Sequence, residues 1–376
     1  MLERIHFFPG LCLLVLGLAL LFQVVRFLVR RYTRTAWIGA GAALAGGLLW
    51  LGYLLEFDRV ARFLPVWWAT WLECAAIVEL IVLVVAALRL AVPVDRPEVQ
   101  ARRRMFIETA AAGLCVAPAV VAGFGILRRN RFQLSEVRIP VADLPKDLDG
   151  LRIVQITDIH LSPFLSEQEF ARAIDMANET RAHLALVTGD LISRRGDPLN
   201  ACLGQLARLR AEAGVLGCLG NHEIYTGTSD YVASHGARIG IDFLRSRARK
   251  LRFGDAVINF AGVDYQRFAS PYLKGAEQLI APGVVNVLLS HNPDVFPVAA
   301  SQGYDLTISG HTHGGQVDFE ILHQHMNVAR VYTPYVAGLY TREKASVYVS
   351  TGLGTIGVPL RIGAPAEVSL LRLCAT

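Results

Sequence analysis

Leu151-Arg152-Ile153-Val154-Gln155-Ile156-Thr157-Asp158-Ile159-His160-Leu161-Ser162 is a run of branched apolar residues that ends abruptly in a carboxylate and an imidazole. A short apolar run bounded by polar residues reads as a buried strand, and open α/β sheets place their ligands in the crevice beyond the carboxyl ends of such strands. Asp158 and His160 therefore stand where a site is expected. Side chains two apart on an extended segment share a side, so both can turn toward one divalent cation. Asp-x-His alone is a weak signal, and its weight depends on how later strands end.

Four later runs end in the same way. Leu184–Thr188 leads into Gly189-Asp190, and Gly214–Leu219 into Gly220-Asn221-His222-Glu223. Val284–Ser290 leads into His291, and Asp305–Ser309 into Gly310-His311-Thr312-His313. The glycines ahead of Asp190, Asn221 and His311 suit a chain that turns sharply beside a cluster, where a Cβ is in the way. Together these ends offer three carboxylate or amide ligands and four imidazoles, enough for two cations that share a bridging carboxylate.

Asp158-x-His160, Gly189-Asp190, Gly220-Asn221-His222-Glu223, His291 and Gly310-His311-x-His313, in this order, resemble the calcineurin-like metallophosphoesterase superfamily. Ser290–Asp294, Gly310–Gln316 and Gly352–Gly357 further resemble its membrane-associated bacterial branch, which includes YkuE- and YaeI-type phosphodiesterases and an LpxG-type UDP-diacylglucosamine pyrophosphatase. The resemblance covers Leu151 to the C-terminus. It implies an α/β fold, a four-layer α/β/β/α sandwich with metals at one edge. It also implies that Asp158, His160 and His313 hold one metal, that Asn221, His291 and His311 hold the other, and that Asp190 bridges both. Two cations about 3.5 Å apart would then generate a bridging hydroxide and draw charge off the phosphoryl oxygens.

His222 follows a ligand directly and so points elsewhere. It suits a role on a phosphate oxygen or a leaving alkoxide, or else it is a structural histidine bonded to Glu223 or a backbone carbonyl. In the phosphoprotein phosphatase branch an acid three residues after the bridging aspartate orients this histidine. Ser193 stands there instead, which leaves the partner of His222 open. Arg194 and Arg195 follow and can meet an anionic substrate or simply be solvated. The resemblance leaves the metal open, since nitrogen and oxygen ligands accept manganese, iron or zinc; manganese is the first expectation. His323 and His325 lie beyond the cluster and read as loop or surface residues.

The first third of the chain has a different composition. Over the whole sequence 53% of residues are hydrophobic and 18% charged, and the apolar excess is concentrated before residue 127. Residues 7–25, 37–55, 67–90 and 106–126 are each long and apolar enough to span about 30 Å of hydrocarbon, so residues 1–127 read as a four-helix transmembrane region. No small-residue cleavage pattern precedes Arg26, which argues against a signal peptide. Glu73 and Glu79 fall in the third span, facing other helices, near its end, or forming a membrane-embedded site. Arginine-rich loops after the first and third spans place those loops in the cytoplasm and both termini outside, whereas Arg128, Arg129 and Arg131 pull the other way. Arg103-Arg104-Met105-Phe106-Ile107 resembles a twin-arginine export signal and equally an ordinary basic anchor; both export the following domain.

Residues 128–150 read as a short linker containing an edge-like strand, Val137–Val141, and residues 151–376 as the catalytic domain held close to the bilayer. Within it, Ser166 and Glu169 form a capping box ahead of a helix running to Arg181, and Pro198–Ala213 reads as a second helix. Lys250–Phe253 and Val257–Val263 read as a hairpin, and Ala345–Ser350 with Glu367–Leu373 as late strands of a second sheet. The net charge of +5 comes from arginines placed at membrane flanks and does not argue for nucleic acid. The expectation is a multi-pass protein of a bacterial-type inner membrane, with its catalytic domain on the extracytoplasmic face. It would hydrolyse a phosphodiester, phosphomonoester or pyrophosphate bond of a lipid-linked or membrane-proximal substrate. A cytoplasmic UDP-2,3-diacylglucosamine pyrophosphatase of lipid A synthesis and a non-catalytic membrane sensor or scaffold are the alternatives.

Overall fold

The structure, a computed structural model, describes residues 123–266, 272–321, 324–357 and 359–376. Chain contacts divide the protein into two units, Met1–Phe124 and Gly125–Thr376, and the second holds the sheets and the strand ends singled out above. The spans read at 7–25, 37–55 and 67–90, with Glu73, Glu79 and the Arg103-Arg104 pair, lie outside the described residues; of the fourth span only 123–126 is described, and it is helical. Among the described residues no helix is long and apolar enough to cross a membrane.

Strands β1 (Gln133–Val141), β2 (Arg152–Ile156), β3 (Leu184–Thr188), β4 (Val215–Cys218), β5 (Ile241–Phe243) and β14 (Glu367–Ala375) form one sheet, in the order β1-β14-β2-β3-β4-β5. A second sheet has the order β12-β13-β9-β8-β7-β6, built from β6 (Arg247–Phe253), β7 (Ala256–Gly262), β8 (Val285–Leu289), β9 (Leu306–Ser309), β12 (Gly338–Arg342) and β13 (Ala345–Val349). β10 (Asp318–Ile321) and β11 (Gln324–Asn327) make a separate hairpin.

Alternation along the strands fixes the layers, because successive side chains point to opposite faces. Ile153, Leu184, Leu186 and Leu371 of the first sheet pack between the sheets against Val287, Leu289, Leu306 and Ile308 of the second. Each such side chain contributes about 1.5–3 kcal/mol by leaving water. The residues between them, Val154, Ala185 and Val187, pack outward on helices α1 (Glu167–Glu179), α2 (Leu199–Leu206) and α4 (Ser229–Arg238). Helix α5 (Phe296–Gln302) covers the outer face of the second sheet through Phe296 and Ala299. The result is helix, sheet, sheet, helix.

The capping box forms as read: Ser166 Oγ accepts the Glu169 N–H at 3.3 Å, and the Glu169 carboxylate accepts the Ser166 N–H at 2.9 Å. Three expectations are corrected. Glu367–Ala375 is not in the second sheet; it lies between β1 and β2 of the first, parallel to β1 and antiparallel to β2. Its apolar residues face both ways, Val368 and Leu370 toward the helices and Leu371 and Leu373 toward the other sheet, so its pattern fits either sheet. The 133–141 part of the linker is an integral edge strand, paired along its whole length with β14. Helix α2 stops at Leu206 rather than Ala213, because the Asn178 side chain takes the Arg208 carbonyl and the Arg210 N–H and draws the chain out of helical geometry.

Candidate dinuclear metal site

The carboxyl ends of β2, β3, β8 and β9 converge on one edge of the sandwich, and buried polar groups tie the two sheets there. Gln155 Nε2 donates to Thr188 Oγ1 and to the Ser309 carbonyl of the opposite sheet, at 2.8 and 2.9 Å. Beyond these strand ends stand the ligands predicted from sequence. His160 Nε2 lies 3.1 Å from His313 Nε2 and 3.5 Å from Asp190 Oδ2. His313 Nε2 lies 3.4 Å from Asp158 Oδ1, and His291 Nε2 is 3.0 Å from Asp190 Oδ2. One ligand atom from each of Asp158, His160 and His313 falls within 4.8 Å of the others, as does one from each of Asp190, His291 and His311.

Backbone conformation is unusual at the ligands themselves. Asp158, His160, Asp190, His311 and His313 have φ of 49°, 46°, 56°, 77° and 53°. Non-glycine residues in this left-handed region are uncommon and persist where the surroundings over-determine them, which favours functional sites. Close approach governs both glycines: a Cβ on Gly310 would lie 2.1 Å from Asp158 Oδ2, and one on Gly189 2.4 Å from the Gly220 nitrogen. Gly189 in addition turns the chain at φ 94°, as the sharp-turn reading expects.

Neighbouring groups orient the imidazoles. His291 Nδ1 sits 2.7 Å from the Thr188 carbonyl, to which only a protonated Nδ1 can donate, leaving Nε2 to face the cluster. His160 Nδ1 contacts Ser193 Oγ at 3.2 Å, again turning Nε2 inward. His222 Nδ1 donates to the Ser193 carbonyl at 2.6 Å. Ser193, the residue in place of the expected acid, thus supplies the partner of His222 through its backbone. Its loop is held by Asp197, whose carboxylate accepts the N–H groups of Ser193 and Arg194 at 3.0 and 2.9 Å.

Burial, then His313, lowers His160 to about 3. Burial, then His291, lowers His311 to about 4, and burial with nearby Arg361 holds His313 well below its usual value. Burial also opposes charge on His291, but Asp190 and Asp158 outweigh it and raise that residue to about 10. Asp190 is likewise pushed up by burial and pulled well below its usual range by His291. His160, His311 and His313 are thus held neutral, as ligands must be, whereas His291 is charged against Asp190 and would have to release its proton for a cation to take that place. Asn221 Oδ1 is buried without a hydrogen-bond partner, and His291 Nε2 has only the Asp190 carboxylate beside it, which a cation-binding cluster accounts for. The donor set therefore fits two cations.

Arg194 is exposed, and its backbone rather than its guanidinium makes the contact to Asp197. The Arg195 guanidinium donates to the Thr226 carbonyl at 3.3 Å. His325 lies in β11, and His323 lies outside the described residues. Three contributors escaped the sequence reading. Glu223, fully buried, accepts the N–H groups of Asp190, Leu191 and Gly220 at 2.8–2.9 Å and so holds the loop of the shared aspartate. Its position three residues after Gly220, at the start of helix α3 (Asn221–Thr226), is a capping-box spacing that could have revealed it. The Tyr265 ring lies 5.3 Å from that of His311, in a loop without a motif. Arg361 packs behind His313 and has no sequence signal.

Residues 151–315 match the family model described as calcineurin-like phosphoesterase. A "Transmembrane protein with metallophosphoesterase domain" of Danio rerio is 30% identical over 69% of this chain and 61% of its own length. The uncharacterized metallophosphoesterase Cj0846 of Campylobacter jejuni is 30% identical over 65% of this chain and 64% of its own length. The uncharacterized metallophosphoesterase YkuE of Bacillus subtilis is 29% identical over 73% of this chain and 98% of its own length. The chain thus spans about three fifths of the first two relatives.

Proposed function

Because the chain belongs to the calcineurin-like phosphoesterase family, we propose that it is a membrane-anchored, metal-dependent phosphoester hydrolase acting on a lipid-linked or membrane-proximal substrate. The observation that carries this reading is the convergence of three overlapping, largely buried ligand groups from separate strand ends: Asp158, His160 and His313; Asp190, His291 and His311; and, joining them, His160, Asp190 and His222. In this reading Asp158, His160 and His313 hold one cation, Asn221, His291 and His311 the other, and Asp190 serves both. Bound there, two divalent cations supply an activated water and polarise the phosphoryl oxygens. Manganese is the metal to test first, with iron and zinc chemically acceptable to the same donors.

The chain's own residues supply orientation and a proton. With Nδ1 anchored on the Ser193 carbonyl, His222 keeps one orientation whether neutral or protonated. As imidazolium it can donate through Nε2 to a phosphoryl oxygen or to the leaving oxygen. Arg194, exposed on the adjoining loop, is placed to attract an anionic head group.

Three observations support the membrane part of the proposal. The four apolar stretches of residues 7–126 suit membrane spans. Two vertebrate relatives carry "transmembrane" in their names. Phe124 and Leu127, at the entry to the catalytic unit, are 53% and 78% exposed. The arginine distribution favours the extracytoplasmic side for that unit.

The test is turnover of bis(p-nitrophenyl) phosphate and p-nitrophenyl phosphate by the full-length chain in detergent, with and without manganese, beside the Asp190→Asn variant. Manganese-dependent turnover that drops at least about 100-fold in the variant is expected. Turnover indifferent to divalent metals, or unaffected by the substitution, refutes the assignment.

A further inference from the structure

We infer that Arg361 is a positioning residue for one of the two metal subsites, that of Asp158, His160 and His313. The inference rests on the two-metal reading above. Arg361 is 3% exposed, and its guanidinium is held only by backbone carbonyls. Nη1 donates to the carbonyls of His313 and Ala364 at 3.3 and 3.1 Å. Nη2 donates to those of Thr351 and Gly352 at 2.8 and 3.2 Å, and to that of Gly354. A buried cation is costly unless its surroundings solvate it, and here carbonyl dipoles do so in place of a carboxylate. A planar fork can engage so many acceptors at once, whereas an ammonium has three donors.

What the carbonyls belong to gives the cluster its meaning. One is on His313 itself. Three are on the turn 351–354, which lies directly against the other two ligands. Leu353 N–H donates to the Thr157 carbonyl at 3.1 Å, and Gly354 N–H to the Asp158 carbonyl at 2.7 Å. A Cβ on Gly352 would lie 2.5 Å from Asp158 Cβ, and one on Gly354 only 2.2 Å from the Ile159 carbonyl oxygen and 2.8 Å from His160 Cβ. Arg361 therefore grips His313 directly and presses the turn onto Asp158 and His160. The other ligands have separate supports: Glu223 beneath Asp190, and the Thr188 carbonyl behind His291. Arg361 thus sits behind the Asp158, His160 and His313 subsite alone, whereas Glu223 supports the aspartate assigned to both.

The test is manganese loading of the full-length chain in detergent, read by metal content per chain and by electron paramagnetic resonance, which separates an exchange-coupled pair from a single ion. Wild type is expected to bind two ions. In Arg361→Lys one ion is retained within about threefold of wild-type affinity and the other is weakened about 10–100-fold, so the coupled signal gives way to that of a single ion. Gly354→Ala, which strains the same turn and leaves the guanidinium in place, should reproduce this asymmetric loss. It carries the test alone if Arg361→Lys does not fold by circular dichroism. Both ions retained at wild-type affinity, or both lost in parallel, overturns the inference. Fewer than two ions in the wild type instead brings down the two-metal reading, and this inference with it.

Discussion

Replacing Gly310 with alanine places a methyl group 2.1 Å from Asp158 Oδ2 and 2.4 Å from Thr157 Oγ1. Carbon and oxygen atoms of folded chains do not approach so closely, and the carboxylate oxygen must retreat by about 0.9 Å to relieve the contact. Hydrogen bonds hold the Asp158 carboxylate where it stands. It accepts from Thr157 Oγ1 at 2.8 Å, and both its oxygens accept the His311 N–H at 3.0 Å. A displacement near 1 Å in a catalytic constellation costs about 100-fold in rate, equivalent to about 2.7 kcal/mol of transition-state stabilisation. The assay is kcat/KM for a chromogenic phosphodiester at saturating manganese, with thermal melting in chelator to confirm that the metal-free variant is folded. A folded Gly310→Ala protein with activity within about threefold of wild type would refute the claim that this glycine exists to admit the carboxylate.

Two further substitutions probe different parts of the unit. Gly204 is exposed on helix α2 with nothing within 4 Å of an added methyl group and no left-handed φ, so Gly204→Ala should stabilise by about 0.5–1 kcal/mol. Differential scanning calorimetry should show a rise of about 1–4 °C with unchanged turnover, and a fall in melting temperature would contradict it. Glu223→Gln leaves one carboxamide oxygen to serve three buried N–H groups and sets an NH2 against one of them. The metal-free protein should lose about 2–3 kcal/mol and melt about 5–10 °C lower. Melting unchanged within about 1 °C would mean that the carboxylate is not the support of the Asp190 loop.

The site was legible because its chemistry is concentrated where strands stop. Each buried apolar run ended in an aspartate, asparagine or histidine, and the fold of a parallel sheet brings such ends together. What stayed hidden depends on contacts between segments remote in sequence. Nothing in Glu367–Ala375 says which sheet it joins, because its apolar residues face two cores at once. The end of helix α2 was hidden in Asn178, a side chain of the preceding helix. Ser193 looked like the loss of a functional group because a side chain was expected, whereas its backbone carbonyl serves. Arg361 stands in a stretch rich in glycine and proline, and only its burial marks it.

The pairing of β1 with β14 has a consequence for synthesis. The second position of the first sheet belongs to residues 367–375, while both of its neighbours are made more than two hundred residues earlier. Until that strand arrives, β1 has no partner in the sheet and β2 presents an open edge carrying unpaired N–H and C=O groups. Closing so long a loop is slow, and the partly made unit exposes an apolar sheet face in the meantime. The first sheet of the second unit is therefore complete only once residues 367–375 have paired between β1 and β2. A stop codon anywhere before residue 367 removes not a tail but the seam of the first sheet.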